Sequence, residues 1–355
     1  MTRFIEFLIS LLIVAVLFVV IALFLPAKRT FVHSVETNRP MSTVFDLLNG
    51  FNRFRDWNPL VRYDPRMPTS VEGPAAGVGA KFVFNSQDRV VGQGNWEIIE
   101  SVPGEKIRYQ LNNNARGENK TMTFDFERTG QRNQNVKITQ TYRVEYGWDL
   151  LGRFAGMYVT RNVGDDVRRG LEKFTTVLAQ IPKYDYSQHD GEFAIEEQAA
   201  RDVLLVTTAA KRNNDEIATA MNNQVSWIEK VMAANGLVAD GPLRIVTNEF
   251  TGETYGFDVV QPVRKASAAA NAPAGEKLSV TLEGPVQYEQ LPARRVAVTT
   301  YTGPAPGLPR MRDVLRAWTL VHNGDTADRP YEDYLGGVGT MLDEDAKFKV
   351  YWPVK

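Results

Sequence analysis

The chain contains no cysteine. That absence excludes disulfides, thiolate nucleophiles and Cys-ligated zinc or iron–sulfur clusters. Histidine is scarce as well: His33, His189 and His322 stand far apart. A three-His metal site would need all of them to converge, and no metal is expected. A Ser-His-Asp triad needs only one of them, but no nucleophile-elbow pattern accompanies any. An excess of either charge is also missing. The 41 Lys and Arg against 42 Asp and Glu leave a net charge of −1. With no DNA-reading motif either, nucleic acid is not an expected partner. No cofactor is expected. The loop Gly73–Lys81 is glycine-rich, but it lacks the Gly-Lys-Ser/Thr ending of a phosphate cradle and precedes a strand-like segment rather than a helix.

What is present fits two domains of ordinary size plus an extra segment in 355 residues. The extra segment comes first. Phe7 to Leu25 is a run of 19 residues with no charge and one hydroxyl. At about 1.5 Å per residue it matches the hydrocarbon thickness of a bilayer. Residues 1–29 therefore read as a transmembrane anchor with membrane lipid as its partner. A cleaved signal peptide is the competing reading. The run is longer than a usual signal core, and Leu25-Pro26-Ala27 lacks a small-x-small cleavage pattern. Lys28, Arg29 and Arg39 follow the run, against Arg3 and Glu6 before it. That bias tips the soluble part toward the cytoplasmic side of a bacterial inner membrane, with the periplasmic arrangement still open.

Residues 30–183 form the first expected module. A β-branched entry strand, Thr30–Thr37, leads to Pro40 and a short helix that Ser42-Thr43 can cap. Strand-like segments follow at Lys81–Asn85, Gly92–Ile99, Lys106–Leu111, Thr121–Phe126 and Val136–Val144. A helix from about Val163 to Gln180 closes the module, with Val167, Leu171, Phe174, Val177 and Leu178 as its apolar stripe. This is an α+β order. With Arg39–Phe45, Trp57-Asn58-Pro59 and Gly94–Ile98 it resembles the polyketide cyclase/dehydrase branch of the START-like (SRPBCC, helix-grip) superfamily. The resemblance implies a curved sheet around a long helix, with a cavity for an apolar ligand between them. Trp57, Trp96, Tyr109, Phe124 and Tyr142 are candidates to line that cavity; ordinary core packing is the alternative for each.

Residues 184–191 are polar and read as a linker. Residues 192–355 contain an internal duplication. Asn235-Gly236, Ala239-Asp240, Pro242 and Phe257–Val263 recur as Asn323-Gly324, Ala327-Asp328, Pro330 and Phe348–Val354. Each copy reads strand, amphipathic helix, strand, strand, with helices at about Asn214–Ala234 and Leu308–Val321. The small-residue connector Ala266–Glu276 joins them. Two such units can share one sheet, with both helices behind it and a groove in front. Leu291–Val298, Tyr301–Pro304, Pro330–Leu335 and Phe348–Val354 resemble the GyrI-like small-molecule-binding (effector-binding) domain.

That family carries a Glu in its final strand, where this chain has Lys349. The reversal weakens any expectation of cation selection. The duplicate position is Asp258. Both are expected to face one groove, where they can pair or select an anionic or zwitterionic ligand; a solvated surface pair is the alternative. Pleat alternation puts Tyr351 beside Lys349. Tyr301 and Tyr334 are further candidates for aromatic walls. The expected function is a membrane-anchored small-molecule binding or sensing protein without a catalytic site. The alternative is a hydrolase or cyclase acting on small hydrophobic or electrophilic compounds, with Glu97, Asp125 or Glu332 as acid or base. A protein partner is neither indicated nor excluded.

Overall fold

The computed structural model describes residues 2–270 and 273–355, so Asn271 and Ala272 of the small-residue connector lie outside the described residues. The chain divides into two compact units, Met1–Lys183 and Tyr184–Lys355.

The first unit opens with helix α1, Thr2–Phe24, whose apolar side chains are almost all exposed. Strand β1 (Lys28–Thr37) and three short helices follow: α2 (Met41–Leu48), α3 (Phe54–Trp57) and α4 (Leu60–Tyr63). Pro40, not a hydroxyl side chain, sits at the N-cap of α2, because Ser42 and Thr43 fall inside its first turn. Then come β2 (Thr69–Glu72), β3 (Lys81–Asn85), β4 (Gln93–Val102), β5 (Lys106–Asn113), β6 (Glu118–Thr129), β7 (Asn135–Glu145) and the long helix α5 (Leu150–Ala179). The strands form one antiparallel sheet in the order β1-β7-β6-β5-β4-β3-β2. Alternate residues point inward along each strand, as in β5, where Ile107, Tyr109 and Leu111 are buried. The apolar stripe of α5 packs on that inner face in a helix-grip arrangement.

α5 begins thirteen residues before the start expected from the sequence, at Leu150 instead of Val163. Gly152 and Gly156 lower helix propensity there and hid the segment. Both are demanded by packing, since a Cβ on either would come within 2.8 Å of the Tyr146 ring.

The second unit contains β8 (Phe193–Gln198), β9 (Arg201–Lys211), α6 (Asn214–Ala234), β10 (Leu237–Ala239), β11 (Leu243–Phe250) and β12 (Thr254–Lys265). It continues with β13 (Gln287–Leu291), β14 (Arg294–Thr302), α7 (Leu308–His322), β15 (Tyr331–Tyr334) and β16 (Lys347–Pro353). The sheet order β13-β9-β12-β11-β15-β16-β14-β8 is a palindrome of the two copies. β11 and β15 meet at its centre, antiparallel, with Arg244 opposite Asp333. The outer strands are exchanged: β8 precedes copy one yet pairs with β14 of copy two, and β13 precedes copy two yet pairs with β9 of copy one. Neither outer strand alternates cleanly, so neither was visible as a strand in the sequence. The segment expected as a linker carries a turn whose Tyr186 is buried, with its ring centroid 5.6 Å from that of His322.

Candidate functional site between the two helices of the second unit

Pleating sorts the central strands of the second unit onto two faces. Tyr255, Glu332, Tyr334 and Phe348 stand on the helix-bearing face. Asp258, Tyr331, Asp333, Lys349 and Tyr351 stand on the other. Both helices lie on that side: Arg312 of α7 reaches Glu332 of β15 and Tyr255 of β12, and Ile217 and Met221 of α6 line one cavity with Tyr255 and Tyr334.

Between α6 and α7 lies a cavity of about 420 Å³. Its walls are Ile217 and Met221 from α6, Leu308 and Pro309 from α7, and Met341. Tyr255 and Tyr334 form the floor together with Arg312. The guanidinium of Arg312 grips Glu332 through both nitrogens: Nη2 donates to Oε2 at 3.0 Å, and Nε donates to Oε1. Nη2 also donates to the Tyr255 hydroxyl at 3.2 Å. Burial is the strongest single influence and works against the charge on Arg312, but the Glu332 carboxylate with the Tyr255 and Tyr334 hydroxyls together hold its pKa above the usual guanidinium value. Burial raises the pKa of Tyr255 and Tyr334, so both phenols stay neutral. At the rim, the Arg212 guanidinium lies 3.9 Å from the Phe250 ring centroid and donates to the Thr251 carbonyl at 2.7 Å. Arg310 lines the same opening. The lining thus holds three arginines, one of them neutralised by Glu332 behind it, and no carboxylate. Apolar walls below a cationic rim complement an apolar body with an anionic head.

Of the residues singled out in the sequence, Tyr334 belongs to this cavity. Tyr301 shares the helix-bearing face but stands at the β14 side, where its hydroxyl donates to the Pro304 carbonyl at 3.1 Å. Asp258, Lys349 and Tyr351 share the opposite face. Asp258 and Lys349 do not pair. Two strands separate theirs, a distance of about 14 Å at normal strand spacing. The Asp258 carboxylate instead accepts from Thr207 at 2.7 Å, Asn248 at 2.6 Å and Arg329 at 3.0 Å. Lys349 lies opposite Asp333. Tyr351 stacks on Tyr331 with centroids 4.8 Å apart, and Arg244 lies 4.1 Å over Tyr331 while pairing with Asp333 at 2.8 Å. A recess of about 340 Å³ opens on this face, but its arginines are already matched, Arg201 with Asp240 and Arg244 with Asp333.

In the first unit, Trp57, Trp96 and Tyr142 all point inward and are buried. Trp57 and Trp96 belong to one aromatic cluster. Trp57 meets Phe54, Phe124 and Phe174 at 5.2, 6.1 and 5.5 Å, and Trp96 meets Phe54 and Tyr109 at 5.1 and 5.8 Å. Tyr142 stands further along, beside Phe31. The Tyr109 hydroxyl donates to the Leu48 carbonyl. The indole N–H of Trp57 is buried without a protein acceptor. A recess of about 450 Å³ lies on the polar outer face of this unit, lined by Lys106, Arg108, Thr123 and Asp125 among others. Of the candidate acids, Glu97 pairs with Lys81 at 3.1 Å, Asp125 lines the outer recess, and Glu332 is locked by Arg312.

The sequence reading missed Arg212, Phe250, Tyr255, Arg310 and Arg312. A signal existed for Arg312, a charge set inside the apolar stripe Leu308, Met311, Leu315. For Arg212 and Phe250 there was none, because the β11–β12 turn brings them together.

Residues 28–179 match the family model described as polyketide cyclase / dehydrase and lipid transport, the family that the first module resembles in sequence. No curated protein matches the chain. Among solved structures it is similar to the C-terminal domain of EcmrR, at 17% identity and a TM-score of 0.37, over 47% of this chain and 98% of that one. It is similar to a protein from Mesorhizobium loti, at 15% identity and a TM-score of 0.31, over 43% of this chain and 98% of that one. A truncated norcoclaurine synthase from Thalictrum flavum gives 9% identity and a TM-score of 0.34, over 42% of this chain and 93% of that one.

Proposed function

We propose that the chain is a membrane-anchored binding protein whose second unit captures a small amphipathic anion between α6 and α7. One observation carries this reading: apolar walls, neutral phenols and three arginines surround a cavity with no carboxylate in its lining. The titratable groups of this lining are its arginines and the neutral phenols of Tyr255 and Tyr334, which suit holding an anion. α1 anchors the protein. It is apolar over a bilayer's length, and almost none of that surface is covered.

Titration calorimetry on the full chain in lipid nanodiscs tests the binding reading with three probes of one shape: 2-naphthoate, 2-naphthamide and 2-naphthylmethylammonium. The anion binds tightest, the amide more weakly, and the cation least. Equal affinity for all three, or preference for the cation, overturns the assignment.

A further inference from the structure

α1 does not stand clear of the first unit. Its C-terminal end is seated on the beginning of α5. Phe18 stacks on Phe154 with centroids 4.4 Å apart and planes 16° from parallel. Ala22, one turn on, is fully buried and Phe18 half-buried, while the other described side chains of α1 are exposed. Arg153 closes the helix end: its Nη1 donates to the carbonyls of Ala22, Leu23 and Leu25 at 3.3, 3.3 and 3.4 Å. The Ala22 carbonyl also accepts from the Leu25 N–H at 3.3 Å; the carbonyls of this last turn carry the helix's negative pole, so a guanidinium is a fitting cap. The same guanidinium is fixed by the Gly147 carbonyl, with Nε at 2.9 Å and Nη2 at 2.6 Å.

Phe18 lies six residues before Phe24, or about 9 Å into the helix at its normal rise. The start of α5 therefore runs beside the last turns of α1, below the helix end. On the first turns of α5 Leu151, Phe154 and Met157 form one broad stripe covering about 120° of the helix, and Trp148 stands in the turn just before the helix. Trp148 is 82% exposed, Leu151 56% and Met157 41%, and Phe24 at the helix end is 87% exposed. A water-facing surface gives no reason for such a stripe. A bilayer surface does. Trp prefers the headgroup level, with apolar residues below it and an arginine reaching back toward water. The Arg153 guanidinium lies 5.9 Å from the Trp148 ring, placing the cation at that same level.

We propose that Trp148 and the Leu151–Met157 stripe form a second membrane contact: the start of α5 lies in the headgroup region and, with α1, fixes the first unit at the lipid surface. This rests on the reading of α1 as a retained anchor. A cleaved α1 would leave Phe154 without Phe18 and would take from Arg153 the carbonyls of Ala22, Leu23 and Leu25.

The natural absence of cysteine gives a clean test. Single-cysteine variants of the full chain, Val14→Cys, Trp148→Cys, Leu151→Cys and Val90→Cys, are spin-labelled in phosphatidylcholine–phosphatidylglycerol vesicles. Their collision rates with oxygen and with a water-soluble nickel chelate are then compared. The ratio of oxygen to nickel accessibility is expected to be several-fold higher at 148 and 151 than at 90, and highest at 14. A high ratio at 14 with water-like ratios at 148 and 151 overturns the second contact and leaves the anchor standing. A water-like ratio at 14, or a membrane-recovered chain beginning after residue 25, overturns the anchor and the contact with it.

Discussion

The two units solve one geometric problem in opposite ways. Each backs an antiparallel sheet with helix, and each has enough large side chains to fill the space between. In the first unit one long helix lies in the grip, and the Trp57–Phe174 and Trp96–Tyr109 contacts pack rings beneath its C-terminal part. In the second unit two shorter helices come from two copies of one motif. They leave a slot between them floored by Tyr255, Tyr334 and Arg312. Duplication makes a cavity because a helix added by symmetry cannot also lie on the symmetry axis. The family resemblance of the first unit led to an expected hollow between sheet and helix, and two of the rings expected to line it, Trp57 and Trp96, belong to one buried aromatic cluster.

The largest effects break the comparison by removing what fills each space. Phe174→Ala deletes a fully buried ring of the first unit and is expected to cost about 3–5 kcal/mol in denaturant unfolding. A much smaller loss would mean that the grip holds spare volume. Glu332→Ala in the second unit leaves the Arg312 charge buried and unpaired, at a similar cost of about 3–5 kcal/mol. The two losses differ in kind. Replacing both partners, Arg312→Met with Glu332→Met, is expected to recover most of the second loss, since an apolar pair needs no compensation. Failure of the double variant to recover would show that the pair positions the floor rather than merely neutralising itself.

A middle effect sharpens the comparison at the rim. Arg212→Ala or Arg310→Ala removes a charged donor, worth about 1.5–3 kcal/mol, or about 10- to 100-fold in naphthoate affinity. The amide probe is expected to lose far less. Equal losses for both probes would mean that the arginines shape the slot without reading charge.

How much of this was legible depended on whether the signal was local. The strands of the first sheet alternate, so Lys81–Asn85 was readable to the residue. The start of α5 was not, because its glycines answer to the Tyr146 ring, a contact that no helix-period pattern reports. The duplication was legible, since repeated Asn-Gly, Pro and Phe positions mark it. The exchange of β8 and β13 was not: a short outer strand carries no record of its partner. For the site, the sequence pointed to the final strand. Pleating placed Lys349 and Tyr351 on the face away from the helices, while the slot took its charge from α7 and from the end of β9.

The smallest effect separates those two faces. Lys349 lies opposite Asp333, which already holds Arg244 at 2.8 Å. Lys349→Glu sets two carboxylates against each other across the strands, which costs about 0.2–1 kcal/mol. The loss is expected at neutral pH and should shrink as pH falls below about 4, where the introduced carboxyl takes up a proton and the repulsion ends. The slot lies on the other side of the sheet, so naphthoate affinity is expected to stay unchanged. Urea midpoints at both pH values and one titration decide it. If affinity falls with stability, the sheet transmits charge from one face to the other, and the ligand cannot be assigned to the helix side alone.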